Sequence, residues 1–60
     1  APVERAVLRV GLLELDRDDP PAAVAIAEAV ALARRYASPE AAAFVNGVLG
    51  AAARTRGTGR

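Results

Sequence analysis

The side chains able to do chemistry in this 60-residue chain are seven carboxylates, eight guanidinium groups and a few hydroxyls and amides; His and Cys are both absent. Without imidazole or thiol, the usual general base and the usual soft nucleophile are missing, and no disulfide can form. The lack of Cys fits a cytosolic protein. Asp16, Asp18 and Asp19 crowd one stretch, but they have neither the spacing nor the glycine of a calcium loop. They read as a solvated turn, with Asp19 capping the helix that follows. Ser38 has no partner base, and capping the next helix accounts for it. Gly57 and Gly59 precede no helix, so they cannot form a phosphate-binding loop. No catalytic residue, cofactor or metal is expected, and the chain reads as a non-enzyme.

The remaining chemistry is electrostatic. Arg34, Arg35, Arg54, Arg56 and Arg60 can contact phosphate, giving salt-sensitive, sequence-independent affinity. The net charge is only +1, all eight basic residues are Arg, and Tyr36 and Phe44 are the only rings. With Phe44 assigned to the core, there is no aromatic platform on which bases could stack. Nucleic-acid binding by this chain alone should be weak.

Three helices must position these groups. The first is predicted over about Val3–Asp16, the second from just after Asp19-Pro20-Pro21 to about Tyr36, and the third from Pro39 to about Ala53. Residues 1–53 form one helical unit, and residues 54–60, with three Arg, two Gly and no apolar residue, form a disordered basic tail. The linkers are short, so neighbouring helices pack on each other. No apolar run approaches the ~20 residues of a membrane span. With sixteen Ala, one Phe and no Trp or Met, the core has little area to bury.

The first helix is apolar nearly all round. Val3, Val7, Val10 and Leu13 share one face, and Leu8, Leu12 and Leu15 share another, with Gly11 between them. Such a helix is normally covered on both sides, and two Ala-rich helices cover only part of it. Glu14 lies beside the Val3/Val7 face and, if buried, needs a partner on a neighbouring helix. Self-association through the uncovered face is one expected outcome.

The third helix opens with Ser38-Pro39, a helix-start pair. Phe44, Val45 and Val48 then recur at helical spacing with Ala41 and Ala52. Asn46 and Gly47 border that face. Both are poor mid-helix choices by propensity, which suggests a half-buried amide at Asn46 and a close backbone approach at Gly47.

Phe44-Val45-Asn46-Gly47-Val48-Leu49, together with Val3-Glu4-Arg5-Ala6-Val7-Leu8-Arg9 leading to Glu14-Leu15 and with Val24-Ala25-Ile26-Ala27-Glu28-Ala29-Val30, closely resembles the C-terminal half of the NusB family of bacterial transcription antitermination factors. The resemblance spans about Val3 to Ala53. It implies an all-α, three-helix C-terminal subdomain of a NusB-like helical bundle, lacking the N-terminal bundle of the longer family members. It also implies a cytoplasmic role in antitermination on ribosomal RNA operons. The partners implied are boxA-type RNA, a NusE-like ribosomal protein and the RNA polymerase antitermination complex. Glu4, Arg9 and Glu28 match the NusE-docking surface. Glu40, Arg34 and Arg35 fall near the RNA path, where Glu40 would tune affinity by repelling phosphate. Glu4 and Arg9 also have a plainer reading as a structural ion pair or hydrogen bond to a neighbouring helix, and Glu28 as an exposed helix charge near Arg35.

Some positions depart from the family pattern. Ala27 stands where Asn is usual, Leu13 where an aromatic is usual, and Ala41-Ala42-Ala43 where a polar stretch is usual. The linker before Pro21 is one residue short. These changes remove polar contacts from docking surfaces without disturbing the fold. Two other readings stay open: a NusB-like appendage of an rRNA cytosine methyltransferase, and a self-associating structural module. Methyltransferase versions tend to carry Ala at the Gly47 position and a basic residue at the Gly50 position, and a catalytic domain follows them, so the free factor is favoured.

Overall fold

The computed structural model describes residues 2–58. Helix α1 spans Pro2–Arg17, α2 spans Ala22–Tyr36 and α3 spans Pro39–Thr58, with no strand among the described residues. This is the all-α, three-helix arrangement that the sequence predicts.

Local chemistry explains the helix ends. Pro2 opens α1, where no backbone donor is needed, and Glu4 in its first turn suits the helix dipole. The helix stops at Asp18, whose φ of 59° is left-handed. There the Asp18 N–H donates to the carbonyls of Glu14 at 2.9 Å and Leu15 at 3.3 Å, satisfying acceptors left open at a helix end. Ser38 caps α3 as expected. Its Oγ accepts from the Ala41 N–H at 3.0 Å, and its carbonyl accepts from Ala42 at 3.0 Å.

Two boundaries differ from expectation. Pro21, not Asp19, is the N-cap of α2, and no side chain caps that helix. Two prolines separate Asp19 from the first free amides, so its carboxylate is out of register. The Pro21 carbonyl instead accepts from Val24 at 2.9 Å and Ala25 at 3.0 Å. The third helix does not end at Ala53 but continues to Thr58. Ala51–Arg54 are strong helix formers, and no Gly interrupts them before Gly57. Thr55 Oγ1 donates to the Ala51 carbonyl at 3.0 Å. Arg56 also reaches α1, with Nη1 at 3.1 Å from Asp16 Oδ1 and Nη2 donating to the Asp16 carbonyl at 3.2 Å. Gly59 and Arg60, the end of the expected tail, lie outside the described residues.

The core is made of Leu15, Val45, Leu49 and five alanines, Ala25, Ala29, Ala33, Ala41 and Ala42. Small side chains give little area each but let backbones approach closely. The closest approach is at Gly11. A Cβ there would lie 2.7 Å from Leu49 Cδ1 and 3.1 Å from Cδ2, so the Leu49 side chain occupies the space a larger residue would need. Gly11 meets Leu49 and Asp16 meets Arg56, so α1 and α3 run side by side in the same direction, with α2 running back against both.

This packing corrects the reading of the third helix. Its buried stripe is Ala41, Ala42, Val45 and Leu49. Phe44 stands about 100° around from Val45 and is 55% exposed, so it is not core here. Asn46 is exposed rather than half-buried. Gly47 is also exposed, and a Cβ built on it meets nothing within 4 Å. The glycine of close approach is Gly11. No described helix is long and apolar enough to cross a membrane.

Candidate interaction surface

The charged and apolar groups outside the core fall into three areas. The first is the groove between α1 and α2. Gly11, Ala25 and Ala29 are buried at its floor, and Val10 and Leu32 stand 55% and 46% exposed beside it. Its volume is about 280 Å³. Glu14, half-buried on α1, and Glu28, exposed on α2, both line it. The groove stays open because α2 offers alanines where a bulky residue would fill it. Glu14 therefore remains half-solvated and does not need the interhelix partner that burial would demand. Among the described residues, no basic side chain lines this groove.

The second area is the turn between α2 and α3. Arg34 and Arg35 occupy the last turn of α2, where cations suit the helix dipole, and Glu40 occupies the first turn of α3. All three are exposed. The Arg35 guanidinium lies over the Tyr36 ring, 5.5 Å from its centroid, a cation–π arrangement. Chain connectivity brings the two arginines and Glu40 to the same end of the bundle. The third area is the outer side of α3, where Phe44, Asn46 and Gly47 are exposed.

Glu4, Arg9 and Glu28 differ in their surroundings. Glu4 is half-buried on the inward side of α1. Arg9 is exposed and lines a shallow depression with Pro2, Arg5 and Ala6. Glu28 belongs to the α1–α2 groove. Among the described residues, no group of three or more carboxylates is placed to hold a metal ion.

Sequence reasoning missed Leu49 as the residue that fills the α1–α3 seam, although Ala42, Val45, Leu49 and Ala52 recur at intervals of three and four. It also missed that Glu14 and Glu28 face one groove, which only the pairing of α1 with α2 reveals.

Three helices packed on an alanine-rich core, with exposed apolar and charged surfaces, define a small all-α unit. The model of the NusB family matches residues 1–54, and the chain belongs to that family. It is 58% identical over 50 residues to the transcription antitermination protein NusB of Sorangium cellulosum, covering 82% of this chain and 36% of that protein. Against the NusB of Yersinia enterocolitica it is 56% identical over 48 residues, covering 78% and 35%. Against that of an Anaeromyxobacter strain it is 53% identical over 49 residues, covering 82% and 34%. The chain thus spans about a third of the length of these curated relatives. No solved structure matches it.

Proposed function

We propose that this chain acts as the C-terminal helical part of a NusB-like antitermination factor in the cytoplasm, binding boxA-type RNA together with a NusE-like ribosomal protein within the RNA polymerase antitermination complex. The observation that carries this reading is the family match over residues 1–54, with relatives above 50% identity named as antitermination proteins. Glu4, Arg9 and Glu28 would serve docking of the ribosomal protein. The half-burial of Glu4 leaves Arg9 and Glu28 as the more accessible of the three. Arg34 and Arg35 would approach RNA phosphate at the α2–α3 end, and Glu40 would weaken that approach by repulsion.

The test has two arms. Titration of the chain with the NusE-like ribosomal protein should show binding that Glu28→Lys weakens. Titration with boxA RNA and a scrambled control should show weak, salt-sensitive binding that barely distinguishes them. Failure to bind the ribosomal protein under any condition would overturn the docking assignment. Tight, discriminating RNA binding would make this part of the protein the sequence reader.

A further inference from the structure

We infer that the α1–α2 groove is a docking site for an amphipathic helix whose apolar stripe is flanked by Lys or Arg. The inference shares Glu28 with the ribosomal-protein docking proposed above, but its test uses designed peptides alone, so its failure leaves that reading standing.

The shape calls for an apolar knob. Gly11, Ala25 and Ala29 contribute almost no side chain to the floor, so the space between the two helices is unfilled. Val10 and Leu32, 55% and 46% exposed, flank it with apolar surface. A Leu or Phe from a partner helix would occupy that space and cover both, the usual way a helix lies in a groove between two others.

Charge decides which helix. Glu14 on one side and Glu28 on the other line the same groove. Neither has an ion-pair partner among the described residues. The nearest basic side chain along α2 is Arg35, which shares an adjoining depression with Glu28 and Leu32 but does not line the groove itself, so Glu14 has no cation beside it there. An incoming helix with acidic flanks would bring like charges together in a site it partly dries, while basic flanks would place opposite charges there. A second copy of this chain fits less well. The two carboxylates of each copy would meet across the interface if the grooves faced each other; Arg5 and Arg9 line a different depression, and Arg35 adjoins Glu28 but not Glu14.

The probes are two synthetic helical peptides that share one Leu stripe at positions i, i+4 and i+7. One is flanked by Lys and the other by Glu. Each is labelled and titrated with the chain by fluorescence anisotropy at low and physiological salt. The Lys-flanked peptide should bind at least about tenfold more tightly than the Glu-flanked one, and its affinity should fall as salt rises. The double variant Glu14→Gln/Glu28→Gln should weaken Lys-peptide binding roughly three- to tenfold, as expected for two partly exposed ion pairs, and should flatten the salt dependence. Leu32→Lys, a substitution at an already exposed position, should abolish binding while circular dichroism shows unchanged helix content. Equal binding of both peptides, or binding of neither, overturns the inference. So does a sedimenting dimer that Leu32→Lys dissociates, because the groove's occupant would then be a second copy.

Discussion

The two sides of α1 are built oppositely. Toward α3, Gly11 yields its space to Leu49, and the seam is filled. Toward α2, the same glycine joins Ala25 and Ala29 at the floor of an open groove, between half-exposed Val10 and Leu32. One residue type thus serves two purposes. Where a large residue faces the glycine, small size gives tight packing. Where alanines face it, small size leaves room for something else. The filled seam should govern stability and the open groove should govern recognition, so substitutions on the two sides should separate these properties.

Leu49→Ala should have the largest effect. The side chain is fully buried, and truncating a core Leu costs about 2–5 kcal/mol, most of the stability a domain this small can have. Thermal and urea unfolding followed by circular dichroism should show the cooperative transition lost or strongly lowered. A variant that melts like its parent would show that the seam is not the anchor.

Gly11→Ala probes the same seam more gently. The new methyl would force Leu49 to move, at about 1–3 kcal/mol for overpacking, while the gain in helix propensity returns about 1 kcal/mol. The expected outcome is a modest net loss in unfolding free energy. A rise in the thermal midpoint would mean that Leu49 swings aside freely and that the two sides of α1 are less different than the geometry implies.

Gly47→Ala supplies the contrast. Nothing stands near a Cβ at that exposed helical position, so the substitution should stabilise the chain by about 0.5–1 kcal/mol. A loss of stability there would restore the close approach that the sequence suggested at Gly47.

The smallest effect is expected on the groove side. Glu28→Gln should change unfolding free energy by no more than about 0.5 kcal/mol, as for exposed positions generally. A larger loss in denaturant titration would assign Glu28 to the fold rather than to recognition.

Much of the architecture was legible because it is local. Ser38-Pro39 marked the start of α3, Pro20-Pro21 marked the break before α2, and the three-helix arrangement followed from spacing alone. The errors were not local. A 3.6-residue period admits neighbouring stripes, and the large ring of Phe44 drew the assignment one step away from the stripe of Ala42, Val45 and Leu49. Gly47 and Gly11 look alike along the chain, and only the position of Leu49 on another helix tells them apart. The end of α3 was set too early because Arg and Thr after the alanines resembled a polar tail, whereas Arg56 finds its partner in Asp16. The candidate surface was legible in its residue types, in Glu28, Arg34, Arg35 and Glu40. The pairing of Glu14 with Glu28 across one groove was not, because it depends on how α1 lies against α2.

The contact between Arg56 and Asp16 also has a kinetic consequence. It joins residues 40 apart in sequence, whereas α2 meets each of its neighbours across a short turn. Closing so long a loop carries more entropy than closing either turn, and helical domains fold fastest through their local contacts. The two helical hairpins should therefore form first and the α1–α3 clasp last. On the way out of the native state the order reverses: the final turn of α3 should open before the rest, and its amides should exchange with solvent ahead of those flanking Val45 and Leu49.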